Sequence, residues 1–70
     1  LVNRPIEPGF DWRSSEAFGA AVREAEKTLE GRGSLLVRPS GTEPLLRIMV
    51  ETADPAEARR LAEELAAALP

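Results

Sequence analysis

Two arginines, two hydroxyls and a glycine crowd into ten residues of this chain. They are Arg38, Ser40, Gly41, Thr42 and Arg47, in the run Arg38-Pro39-Ser40-Gly41-Thr42-Glu43-Pro44-Leu45-Leu46-Arg47. The chemistry they suit is anion binding. A guanidinium fork matches phosphate oxygens bidentately. Ser40 and Thr42 add hydroxyl donors. Gly41 lets the backbone approach a ligand closely or turn with positive φ. The N–H groups of Ser40, Gly41 and Thr42 can converge as an anion nest. Catalysis is not expected here, and no residue is assigned a catalytic role. The chain has no histidine, Ser40 has no base to activate it, and no carboxylate pair is placed for acid–base work. The competing account makes Arg38 and Arg47 surface residues paired with Glu43 and Glu51. The full loop in its context favours phosphate, with Glu43 turned away and holding the loop through backbone N–H groups or an arginine.

Two short apolar runs position the loop: Leu35-Leu36-Val37 before it and Leu45-Leu46-Arg47-Ile48-Met49-Val50 after it. They are rich in branched aliphatics and too short for typical helices, so they read as strands. If Pro39 to Pro44 connect them, Arg38 faces Leu45 in an antiparallel hairpin. Leu36 then faces Arg47, Val37 faces Leu46, and Leu35 faces Ile48. Alternation places Leu35, Val37, Leu46, Ile48 and Val50 on one apolar face. Arg38 and Arg47 share the other face as diagonal neighbours. A slip of one residue would break both groupings.

The rest of the chain supplies a frame. Residues 1–6 suit a strand that Pro5 confines to an edge or ends early. Pro8-Gly9 signals a turn, and Phe10 and Trp12 read as anchors for the sheet or helix. Ser14 or Ser15 caps a helix of about 15 residues, with a stripe of Phe18, Ala21, Val22, Ala25 and Leu29. Gly31 ends it and Gly33 leads into the next strand. Asp54 caps a second helix, with Pro55 at its first position and Glu57 where a capping box places its acid. Its stripe is Ala58, Leu61, Ala62, Leu65, Ala68 and Leu69. Arg59 with Glu63 and Arg60 with Glu64 are spaced as helical partners. The predicted class is α+β, in the order β-α-β-β-α. A small, mainly antiparallel sheet carries two helices packed on one face. Leu36, Leu45 and Met49 fall beside the arginines on the other face, which suggests partial covering there.

The run Arg38 to Arg47 resembles the phosphate-binding loop in the C-terminal domain of the α-D-phosphohexomutase superfamily. It is most similar to the bacterial phosphoglucosamine mutases, as are Gly31-Arg32-Gly33 before it and Ile48-Met49-Val50-Glu51 after it. The likeness covers roughly residues 14–69; residues 3–12 are less typical. It implies a four-domain parent enzyme. The phosphoserine loop, the Mg²⁺ site and the sugar-binding loop lie in the first three domains, outside these residues. It assigns Arg38, Ser40, Gly41 and Thr42 to the substrate's phosphate and Arg47 to a second contact. On its own the chain is then inert. The parent interconverts glucosamine 6-phosphate and glucosamine 1-phosphate, and the partners are a phosphosugar and the parent's other domains. Phosphomannomutases and phosphoglucomutases use related loops, so the hexose is read elsewhere. The non-enzymatic alternative is an α+β interaction module docking through Leu36, Leu45 and Met49.

Size and charge bound these expectations. Seventy residues make at most one domain, spanning 1–70, with a thin core. The chain does not open on methionine and its first residues already read as strand, which points to a piece of a longer protein. A net charge of −3 argues against nucleic-acid binding. Without cysteine there are no disulfides or thiolate metal sites. No apolar run can span a bilayer and no signal peptide is visible, so a cytoplasmic location is expected.

Overall fold

The computed structural model describes residues 2–69. Strand β1 spans Val2–Pro5 and helix α1 spans Glu16–Leu29. Strand β2 spans Gly33–Pro39, β3 spans Leu45–Thr52, and helix α2 spans Pro55–Ala67. A 3-10 turn at Trp12–Ser14 precedes α1. The sheet is antiparallel throughout, in the order β1-β3-β2. Position 1 of the first expected strand lies outside the described residues. Pro5 closes β1 on an edge, where its missing donor costs no ladder bond.

The alternating pattern of β3 makes it the centre. Leu46, Ile48 and Val50 are buried beneath the helices. α2 packs over β3 and β1, and α1 packs on β2 and α2. Phe18, Ala25 and Leu29 of α1 meet Leu61, Ala62 and Leu65 of α2 in one core. Phe10 and Trp12 pack against it as expected, with Trp12 edge-on to Phe18 at 5.9 Å and 88°. Arg13 lies over the Trp12 ring at 4.3 Å.

Capping chemistry fixes both helix starts. The Ser15 hydroxyl accepts from the Phe18 N–H at 3.3 Å, and the Asp54 carboxylate accepts from the Ala56 N–H at 3.0 Å. Glu57 does not complete a capping box. Its carboxylate instead accepts two bonds from Arg32, at 2.8 and 2.6 Å. A bidentate guanidinium outcompetes one backbone N–H. Of the expected helical pairs, Arg60–Glu64 forms at 3.8 Å. Among the described residues no ion pair joins Arg59 to Glu63.

The hairpin register differs from the sequence expectation by two residues. Arg38 faces Arg47, Val37 faces Ile48, Leu36 faces Met49 and Leu35 faces Val50. A shift of two preserves facial parity, so both groupings survive. The cause is a shorter connection: β2 runs through Pro39, which pairs with Leu46. Only Ser40 to Pro44 remain as loop. Leu45 N–H turns back to the Glu43 carbonyl at 2.8 Å, which tightens the corner.

A candidate anion site at the β2–β3 loop

Three strands present one exposed row at this end of the sheet. Register places Asn3 beside Arg47, and Arg47 beside Arg38, on the face away from the helices. The loop is held from both sides. Ser40 N–H donates to the Leu45 carbonyl at 3.0 Å, and Ile6 N–H donates to the Pro44 carbonyl at 2.8 Å. Ladder bonds alternate along an antiparallel pair. With Ser40 bonded to Leu45, Arg38–Arg47 is a hydrogen-bonded pair, its Cα atoms about 5.5 Å apart.

The five residues singled out by sequence come together. Arg38, Pro39, Ser40, Gly41, Thr42 and Arg47 line a hollow of about 360 Å³. Glu43 is absent from that lining. Among the described residues its carboxylate makes no hydrogen bond or ion pair. The expected brace through the Glu43 side chain is therefore not formed; its carbonyl does the bracing.

One detail of the expected nest is corrected, and of the two roles open to Gly41 only close approach remains. The Ser40 N–H is committed to the hairpin, so only Gly41 and Thr42 keep N–H groups without a protein acceptor among the described residues. Gly41 does not have positive φ; among the described residues only Gly9 and Gly31 do. Its value is space: a Cβ built there meets nothing within 4 Å, so the loop can be approached from outside.

The competing account of the arginines finds no partner. Among the described residues neither Arg38 nor Arg47 makes an ion pair. Glu51 lies four residues beyond Arg47 on the same strand, roughly 13 Å away at the usual rise per residue. Like charges directly opposite in a sheet destabilise it. The hollow of about 340 Å³ over α2 is a useful contrast. Its Arg60 is already answered by Glu57 at 3.9 Å and Glu64 at 3.8 Å. At the hairpin end Arg38 and Arg47, without an ion pair among the described residues, stand beside two hydroxyls and the N–H groups of Gly41 and Thr42.

Arg4 is a structural residue that sequence inspection missed. It sits on the core face of β1 opposite Leu46. Its Nε donates to the Ala66 carbonyl at 3.1 Å and its Nη2 to the Leu69 carbonyl at 3.3 Å. A third bond goes to the Pro5 carbonyl. α2 has no basic residue in its last turn, so β1 supplies the cation its C-terminus favours. The available signal was parity: Arg4 alternates with Val2 and Ile6, and so points inward.

Residues 1–68 match the family model described as phosphoglucomutase/phosphomannomutase, C-terminal domain. The chain is 51% identical over 69 residues to a phosphoglucosamine mutase of Ralstonia nicotianae. It is 52% identical over 69 residues to one of Bordetella petrii, and 52% identical over 66 residues to one of Aromatoleum aromaticum. These alignments cover 99%, 99% and 94% of this chain, but only 15% of each relative. On the match across nearly its whole length, the chain belongs to the phosphoglucomutase/phosphomannomutase family, as a C-terminal domain.

Proposed function

We propose that this chain, as one domain, holds the non-reacting phosphate of a phosphosugar in a phosphoglucosamine mutase. The parent enzyme would interconvert glucosamine 6-phosphate and glucosamine 1-phosphate. The observation that carries this is the facing pair Arg38–Arg47, without an ion pair among the described residues, over a hollow lined by Ser40, Gly41 and Thr42. Two guanidinium groups answer a phosphate's charge, and two hydroxyls and two N–H groups satisfy its remaining oxygens. The names of the relatives support phosphoglucosamine among the hexose phosphates.

The chain's share of the reaction is positioning. Anchoring one phosphate fixes the distance and angle at which the other end meets the transferring group. Mg²⁺ in the parent would serve phosphoryl transfer. Among the described residues no three carboxylates converge to hold a metal ion, so no step on this chain is routed through it. The interaction-module alternative is weakened by exposure. Of its three residues Leu36 is exposed, at 50%, while Leu45 and Met49 are partly buried.

Arg38→Lys in the full-length enzyme tests the proposal. Lysine keeps the charge and loses the planar fork. The expected result is a raised KM and a lowered kcat/KM, a loss of roughly 1–3 kcal/mol. Arg23→Lys, on the exposed side of α1, is the control and should match wild type. A well-folded Arg38→Lys enzyme with unchanged kcat/KM removes Arg38 from the site.

A further inference from the structure

Anything attached to the bound phosphate must leave the hollow past one of its neighbours. The same-face neighbours of Arg38 and Arg47 are Leu36, Ser40, Leu45 and Met49 along the strands and Asn3 across them. Ser40 belongs to the loop. Of the rest, only Asn3 carries a hydrogen-bonding side chain. It is exposed, and its carboxamide makes no hydrogen bond among the described residues. Asparagine is also disfavoured in strands, so packing alone does not explain it there.

Register brings Asn3 close. Because Ile6 N–H bonds the Pro44 carbonyl, the hydrogen-bonded positions on this side are Arg4–Leu46 and Val2–Ile48. Asn3–Arg47 is thus a non-hydrogen-bonded pair, with Cα atoms about 4.5 Å apart and side chains at their nearest. From Arg38 the row runs about 10 Å across two strand spacings.

Resting on the phosphate assignment above, we infer that Asn3 extends the site and binds a hydroxyl of the sugar, making the site selective for a phosphorylated polyol over inorganic phosphate. The carboxamide offers one acceptor and two donors, which matches a hydroxyl in either sense. Being uncharged, it adds little to the hold on the phosphate beside the two guanidinium groups.

The test is calorimetric titration of the full-length protein with glucosamine 6-phosphate and, separately, inorganic phosphate. Asn3→Ala should weaken glucosamine 6-phosphate about five- to tenfold, the worth of a neutral hydrogen bond, and leave inorganic phosphate unchanged. Asn3→Val, which suits an edge strand better than asparagine, should repeat the result and guards against a folding defect. Arg38→Ala should weaken both ligands. If Arg38→Ala weakens both while the Asn3 variants weaken neither, Asn3 is overturned and the phosphate assignment stands. Equal loss of both ligands in the Asn3 variants makes Asn3 a support for Arg47 and also overturns the hydroxyl contact. If Arg38→Ala changes neither ligand, the phosphate assignment fails and takes this inference with it.

Discussion

Arg38 and Arg47 are held face to face by the backbone, and among the described residues no ion pair absorbs their charge. Such an arrangement costs stability in the empty protein and returns it when an anion binds. Replacing Arg47 by threonine, a good strand former without charge, should therefore raise the melting temperature while weakening phosphosugar binding. The expected gain is about 0.2–1 kcal/mol. It should shrink as salt is added, because salt screens the repulsion in the wild type alone. Thermal melts at low and high ionic strength check this. A variant that melts lower at both would mean the pair is not under strain.

At the scale of elements, the approach of α1 to the sheet turns on two glycines. Gly31 takes φ +77 where the chain leaves the helix. Gly33 opens β2 under a different constraint: a Cβ there would lie 2.4 Å from the Glu51 carbonyl oxygen and 2.8 Å from a Leu29 methyl. One of these neighbours is backbone and the other is core. Gly33→Ala should thus destabilise by roughly 1–3 kcal/mol, the range for overpacking, as measured by urea unfolding. An unchanged midpoint would mean that β2 and β3 part without cost.

Much of this was legible in the residues themselves. Ser15, Asp54 and Pro55 announce the helix starts, and the alternation of Leu46, Ile48 and Val50 announces the buried strand. That Arg38, Ser40, Gly41, Thr42 and Arg47 line one hollow was legible because they lie in one short run. Register was not, because a two-residue shift leaves facial parity intact and parity is all a pattern carries. Nor were the bonds of Arg4 to Ala66 and Leu69, or of Arg32 to Glu57. They join residues distant in sequence, and no spacing rule connects them.

For the whole molecule, the Arg32–Glu57 pair ties the α1–β2 turn to the start of α2. Accepting hydrogen bonds from Arg32 holds the Glu57 carboxyl below its ordinary value of 4.5, although desolvation acts the other way. The Arg32 guanidinium is raised in turn, first by the same hydrogen bonds. Its side chain is half exposed, so salt weakens the tie. The folded carboxyl binds its proton less readily than the unfolded one. The stabilisation is therefore complete above about 4.5 and is lost as pH falls through the lower folded value. Melting temperatures taken from pH 7 down to pH 3 should fall less steeply at the acid end for Glu57→Gln than for wild type. Parallel curves would show that the tie contributes nothing.

The sheet joins strands at very different separations in sequence, and that difference bears on the order of folding. The β2–β3 hairpin closes a loop of a few residues and can form early. β1 joins only after the segment between Pro5 and Leu45 has been closed into a loop, which costs more entropy than closing the tight hairpin. Yet β1 supplies the Ile6 N–H that holds the Pro44 carbonyl. One side of the β2–β3 loop is thus braced as soon as the hairpin forms. The other side waits for β1 to pair with β3, and the loop is finished in the same step as the sheet.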